Sequence, residues 1–159
     1  MQSAPAGCTG KGLPSPEHQV VLDQPPDHFI HRDGVVFAGT HVIIDLWRAS
    51  RLDDLEHMES VLRQAIDRCG ATLLHIHLHH FTPTGISGVA VLAESHISVH
   101  TWPERGFAAF DVFMCGNANP ELAVPIFQTA FATDDVRVRQ IRRGETDAAN
   151  VIDGELQLV

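Results

Sequence analysis

Residues 74–103, LHIHLHHFTPTGISGVAVLAESHISVHTWP, contain three consecutive strand patterns joined by short links. Over 74–79 the pattern places Leu74, Ile76 and Leu78 on one face and the histidines on the other, which predicts a half-buried strand with its apolar face toward the core. Residues 87–93 form an apolar run typical of a buried strand, and alternation resumes over 96–100 until a proline ends it. Parallel crossovers need about a dozen residues, so these links predict antiparallel pairing.

The segments on either side complete the predicted fold. After Asp53 or Asp54, which can cap a helix, apolar residues recur at three- and four-residue steps until Gly70. Asn119-Pro120-Glu121 opens a second helix that Pro125 is expected to kink. These two helices span 55–69 and 120–130. The remaining predicted elements are strands at 40–47, 107–114 and 136–141. This order predicts an α+β fold, a two-layer α/β sandwich with a largely antiparallel sheet and both helices on one face.

The ends of the chain differ in composition from its middle. Residues 1–34 are rich in proline and glycine at their start and are predicted to be a flexible N-terminal tail. Residues 35–143 are predicted to form one domain, followed by a C-terminal tail at 144–159. A secretory signal and an apolar run of the ~20 residues that span a membrane are both missing from the sequence, so a soluble cytoplasmic protein without membrane contact is expected.

Charge and cysteine content narrow the function classes. The 159-residue chain has a net charge of −9, which repels phosphate backbones and argues against nucleic-acid binding. Its three cysteines have no paired spacing, so neither a disulfide framework nor a four-cysteine zinc site is predicted.

The eleven histidines suggest a metal-binding alternative. His75, His77 and His79 recur at two-residue steps, so neighbouring rings could share an ion. His96 and His100 would lie about 13 Å apart along a strand, too far for easy chelation. We interpret the histidines as a solvated strand face and assign no metal site; a noncatalytic metal-binding module is retained as the less favoured alternative.

Three sequence blocks point to a specific chemistry. They are Gly85-Ile-Ser-Gly88, the run from Ala93 to Glu104 (AESHISVHTWPE), and Asp111-Val-Phe-Met-Cys-Gly116. In this order and spacing they resemble the small prokaryotic S-adenosylmethionine decarboxylases, pyruvoyl enzymes of polyamine synthesis, over roughly residues 37–143. The resemblance implies a self-cleaving proenzyme whose product supplies the aminopropyl donor for spermidine biosynthesis.

The chemistry of Ser95 agrees with that resemblance. A serine at a tight strand link can direct its hydroxyl at the carbonyl carbon of Glu94, shift the acyl group to oxygen, and then lose its α-proton so that the ester is eliminated. Hydrolysis of the dehydroalanine leaves a covalent pyruvoyl group on fragment 95–159, separate from fragment 1–94. A pyruvoyl ketone forms an imine with a substrate amine and accepts the electrons released with carbon dioxide. The only lysine, Lys11, lies in the predicted tail and is unsuited to holding pyridoxal phosphate.

The resemblance also implies roles for other residues near Ser95. His100 matches the histidine that draws off the Ser95 α-proton during processing, and Ser87 matches a serine that assists the acyl shift. Cys115 matches the donor that returns a proton to the substrate carbon after decarboxylation. A neutral imidazole suits proton abstraction near pH 7.

Substrate contacts and assembly are also implied by the resemblance. Glu104 matches the glutamate that accepts hydrogen bonds from both ribose hydroxyls, and Phe81 matches an aromatic that stacks on adenine. Phe37 is similar to a phenylalanine on the other side of that stack in eukaryotic members, although Ala38 replaces their following glutamate. Small prokaryotic members are homodimers with active sites near the interface, so a homodimer is expected.

A second substrate class shares the same cofactor. Relatives of this family act on ornithine or arginine, which have neither adenine nor ribose, and keep the serine, histidine and cysteine chemistry. The presence of both Phe81 and Glu104 favours S-adenosylmethionine.

Overall fold

The computed structural model describes residues 28–146 as one antiparallel sheet, a short hairpin and a helical layer. The six-stranded sheet has the order β4-β5-β6-β7-β3-β8, with every neighbouring pair antiparallel. This confirms the predicted α+β sandwich. The elements are β1 (Ile30–Arg32), β2 (Val35–Phe37), β3 (Gly39–Trp47), α1 (Leu55–Cys69), β4 (Leu73–His80), β5 (Ile86–Leu92), β6 (Ser95–Trp102), β7 (Phe107–Met114), α2 (Ala123–Ala130) and β8 (Asp135–Arg143).

Both helices pack against one face of the sheet. Their apolar stripes and alternate residues of the central strands form a single buried cluster. Phe110 of β7 stacks on Phe127 of α2 with ring centroids 4.2 Å apart. Asp54, one of the two predicted caps, accepts a hydrogen bond from the His57 N–H at 3.0 Å and begins α1.

The opposite face of the sheet carries no helix within residues 28–146, and we call it the open face. Cross-strand partners share a face, so the registers place His96, Phe113 and His41 side by side on it. The carboxylates of Asp45 and Asp111 lie on this face. Six histidines lie there as well: His41, His75, His77, His79, His96 and His100. Val91 and Ile141 are 40% and 44% exposed there, so apolar surface is uncovered beside the histidines.

The folded domain is longer at both ends than the predicted residues 35–143. Ile30 pairs with Phe37 in the β1–β2 hairpin, so residues 28–34 do not belong to a tail. The hairpin turns at Asp33-Gly34, and both residues have a positive φ. The dipeptide Asp-Gly is itself a sequence signal for such a tight turn. Thr146 pairs with Val36 and extends the domain at its other end. The rest of the predicted tails, 1–27 and 147–159, lies outside the described residues.

Local irregularities change three predicted details. Pairing shifts between Leu73 and His75, so Leu74 is 63% exposed instead of buried, and Leu73 packs toward the core. The segment predicted as one helix at 120–130 begins with a 3-10 turn, Pro120–Leu122. Pro125 therefore lies in the first turn of α2, where a proline is tolerated without a kink. No described helix is both long enough and apolar enough to cross a membrane.

Candidate active site

A two-residue turn, Ala93-Glu94, connects β5 to β6. We call it the cleavage turn, because the predicted cut between Glu94 and Ser95 lies at its end. Leu92 pairs with Ser95 across this turn, as in a tight hairpin. The φ angle of Ser95 is +139°, in a region that residues with a side chain rarely adopt. Such a conformation costs roughly 1–3 kcal/mol and persists only when its surroundings hold it. The strain therefore falls on the residue that follows the Glu94-Ser95 peptide bond.

The carbonyl of that peptide bond is held by the next strand. The backbone N–H of Cys115 donates a hydrogen bond to the Glu94 carbonyl oxygen at 3.0 Å. Ser95 pairs directly with Met114, the residue before Cys115. Glu94, Ser95 and the half-buried Cys115 therefore meet at one end of the sheet, and we call these three residues the cleavage cluster.

Ser87 and His100 meet in a second cluster on the open face. They are direct cross-strand partners, and the Ser87 Oγ lies 2.8 Å from the His100 Nδ1. Because Nδ1 is engaged with the hydroxyl, Nε2 is the nitrogen left to exchange a proton with another group. His100 is exposed to solvent. We call this pair the histidine cluster.

The two clusters lie at opposite ends of β6. Ser95 and His100 are its first and sixth residues, so their Cα atoms are roughly 16 Å apart at the rise of a strand. A general base must come within hydrogen-bond reach of the proton that it removes. Within one chain, His100 therefore cannot reach the α-proton of Ser95, although the sequence suggests a single site.

Two of the three residues predicted to contact substrate, Phe81 and Glu104, lie beside the histidine cluster. Phe81 follows β4, is 46% exposed and packs edge-on against His79, with ring centroids 4.6 Å apart. Glu104 is exposed in the 3-10 turn Pro103–Arg105 that follows β6. Both residues thus belong to the end of the sheet opposite Ser95.

A row of three aromatic side chains lies at the same end of the sheet as His100, and the sequence-based site prediction did not include it. Trp102 is 43% exposed and stacks on Phe107 at 5.3 Å, and Phe107 stacks on Trp47 at 4.4 Å. Trp102 follows His100 by two residues, so the alternation of β6 already places it on the same face. The two-residue alternation of β6 was therefore the sequence signal that indicated Trp102 as a neighbour of His100.

The substrate-binding prediction for Phe37 is wrong. Its side chain is fully buried, and the guanidinium of Arg142 lies 5.3 Å from the centre of its ring. A ring without exposed surface cannot stack on a ligand. Phe37 is instead a core residue where the β1–β2 hairpin joins β3.

Cysteine and metal chemistry are restricted by burial and geometry. Burial raises the pKa of the Cys69 thiol to about 11, so this core cysteine is a poor proton donor or nucleophile. Cys115 is half-buried and next to the cleavage turn.

Within residues 28–146, no three His, Cys, Asp or Glu side chains are grouped so that they could hold a metal ion.

Comparison with known proteins identifies the family to which this architecture is similar. The model of the S-adenosylmethionine decarboxylase family matches residues 40–144. The S-adenosylmethionine decarboxylase proenzyme of Methanococcus vannielii is 47% identical over 117 residues, covering 72% of this chain and 96% of that protein. The proenzyme of Thermomicrobium roseum is 44% identical over 108 residues, covering 67% and 93%. The crystal structure of the adenosylmethionine decarboxylase from Aquifex aeolicus VF5 matches with a TM-score of 0.63 at 30% identity, covering 77% of this chain and 98% of that one.

The sandwich fold and the matched sequence together define the class of protein, a decarboxylase built on an antiparallel α+β sandwich. The resemblance that the three sequence blocks indicated is confirmed. The chain belongs to the S-adenosylmethionine decarboxylase family.

Proposed function

We propose that this chain is a self-processing S-adenosylmethionine decarboxylase that cuts itself between Glu94 and Ser95 and derives a pyruvoyl cofactor from Ser95. The observation that carries the proposal is the cleavage turn, where a strained Ser95 follows a carbonyl that accepts a hydrogen bond from the Cys115 N–H. Its product would supply the aminopropyl donor for spermidine biosynthesis.

The cleavage cluster suits the first step of self-cleavage. The Ser95 Oγ forms a bond to the Glu94 carbonyl carbon, the carbon–nitrogen bond breaks, and the hydroxyl proton ends on the new amine of Ser95. Negative charge develops on the Glu94 oxygen during this step. The Cys115 N–H, already 3.0 Å from that oxygen, is positioned to stabilise the charge.

The second step needs a base at the Ser95 α-proton. Removal of the Ser95 α-proton breaks the Cβ–Oγ bond, and Glu94 leaves as a carboxylate. Water then hydrolyses the dehydroalanine, ammonia departs, and the pyruvoyl group remains. His100, the matched base, is roughly 16 Å along β6, so in this proposal it acts on the Ser95 of a second copy.

A homodimer of cleaved protomers fits the open face. If two open faces stack about a two-fold axis perpendicular to the strands, the cleavage cluster of one copy lies over the histidine cluster of its partner, and this occurs twice. Uncovered Val91 and Ile141 supply apolar area for such a contact. Each site would then join Ser95 and Cys115 of one copy to His100, Phe81 and Glu104 of the other.

In this proposal the cofactor would be carried covalently by residue 95. A pyruvoyl group supplies a ketone that condenses with the substrate amine and accepts the electrons released with carbon dioxide. In the composite site, Phe81 would stack on adenine, and Glu104 would accept hydrogen bonds from the ribose hydroxyls. Cys115 would return a proton to the substrate carbon.

Replacing Cys115 with alanine should separate cutting from turnover. The variant keeps the backbone N–H that holds the Glu94 carbonyl, so the proenzyme should cut at the wild-type rate. It loses the Sγ proton, so carbon dioxide release should fall by about 10²-fold. Gel analysis and release of labelled carbon dioxide measure the two rates, with Cys69→Ala as the matched control. Undiminished turnover in Cys115→Ala would remove this residue from the proposed role.

Substrate choice is tested by measuring carbon dioxide release from S-adenosylmethionine, ornithine and arginine. We expect release from S-adenosylmethionine alone. Glu104→Gln should raise the KM for S-adenosylmethionine by about tenfold, because an amide is a weaker acceptor than a carboxylate for two ribose hydroxyls. Release from ornithine or arginine alone would contradict the proposed substrate.

A further inference from the structure

Thr72, which precedes β4, makes three hydrogen bonds to the cleavage turn. Its backbone N–H donates to the Glu94 Oε2 at 2.8 Å, and its Oγ1 donates to the Glu94 Oε1 at 3.2 Å. Its carbonyl accepts a hydrogen bond from the Ala93 N–H at 3.0 Å. Both carboxylate oxygens of Glu94 are thus engaged by one residue, and the preceding peptide is tied to the same residue.

These bonds and the Cys115 bond hold Glu94 from two directions. The side chain is fixed toward the start of β4, while the carbonyl oxygen is fixed toward β7 by the Cys115 N–H at 3.0 Å. A residue held at both its side chain and its carbonyl has little freedom to rotate. The surroundings that keep Ser95 at a φ of +139° therefore include Thr72 as well as the strand pairing.

We propose that Thr72 is a positioning residue for self-cleavage, holding Glu94 so that its carbonyl carbon stays within reach of the Ser95 Oγ. This inference rests on the proposed cut between Glu94 and Ser95. Thr72 and its bonds to Glu94 are exposed, so their expected effect is on the geometry of the turn more than on the stability of the fold. Small displacements of reacting groups produce large losses of rate.

The experiment follows conversion of freshly synthesised full-length chain into its two fragments. Thr72→Val loses the Oγ1 bond but keeps the N–H bond, and it should cut about fivefold more slowly than wild type. Thr72→Ser keeps both bonds and should cut at close to the wild-type rate. Glu94→Ala loses both acceptors and should be slowed more than about tenfold.

Two readouts separate positioning from a general loss of structure. Once Thr72→Val has been cut completely, its carbon dioxide release per cut chain should equal that of wild type, because Glu94 takes no part in decarboxylation. Thr129→Val on α2 and Glu56→Ala on α1, both at exposed positions in the helical layer, are the matched controls and should cut at the wild-type rate.

The outcomes distinguish this inference from the proposed function. Equal cutting rates for Thr72→Val and wild type would overturn the role of Thr72 while leaving self-cleavage intact, and so would a Thr72→Ser variant as slow as Thr72→Val. A wild-type chain that is never cut at Glu94-Ser95 would instead contradict the proposed function itself.

Discussion

Ser95→Ala is expected to abolish both cutting and decarboxylation. Alanine has no hydroxyl to attack the Glu94 carbonyl, so neither the ester nor the pyruvoyl group can form. Without the group that accepts electrons, turnover should fall by at least about 10⁶-fold, the lower end of typical enzymatic rate enhancements. Denaturing electrophoresis should show one full-length band where wild type shows fragments 1–94 and 95–159.

The control for this variant is Ser60→Ala, an exposed serine on α1 in the helical layer, which should cut and turn over like wild type. Ser95→Ala should also unfold at a temperature close to that of the uncut wild-type chain, since the change is one small side chain in a turn. A Ser95→Ala protein that retained wild-type turnover would refute the assignment of the cofactor to this residue.

Coexpression of two inactive variants should restore cutting in one of them. A His100→Ala chain keeps Ser95 but lacks the proposed base, and a Ser95→Ala chain keeps the proposed base but lacks the hydroxyl. In a hybrid dimer of the proposed geometry, Ser95 of the first chain faces His100 of the second. With distinguishable tags, only the His100→Ala chain should be cut, and only in the hybrid.

The matched control replaces the helper chain with the double variant Ser95→Ala, His100→Ala, which supplies no histidine at the site. No cutting of the His100→Ala chain should then occur. Full cutting of His100→Ala alone, or no gain from the Ser95→Ala helper, would show that His100 does not act across the two-fold axis. Tag-based purification followed by electrophoresis reads out each case.

Most of the sandwich could be predicted because its signals are local. The alternation of histidine and apolar residues over 74–79 and the shortness of the following links determine strand type and direction, and both are found in β4 to β6. The cap at Asp54 and the αL residue Gly70 bound α1 as expected. Leu74 was misplaced because a bulge inserts one residue into the pairing, and periodicity alone does not reveal a bulge.

The site was less predictable than the fold because it depends on contacts between different elements. The sequence blocks indicated Ser95, His100 and Cys115, and the rise of a strand already separates Ser95 from His100. Only the strand pairing brings Cys115 to Ser95 and Ser87 to His100. Phe37 was misassigned because its ring is buried, and Arg142, which lies over that ring, is distant in the chain. Thr72 carried no sequence signal, since its proposed role arises from hydrogen bonds to residues about twenty positions away.

The most direct test of the account is the mass of the smaller fragment from freshly purified, active protein. The expected fragment starts at residue 95 and weighs one ammonia less than the same 95–159 peptide with an amino-terminal serine. Reduction with borohydride should shift that mass by the two hydrogens that a ketone accepts. A fully active preparation containing only intact chain, or a fragment beginning with unmodified serine, would contradict it.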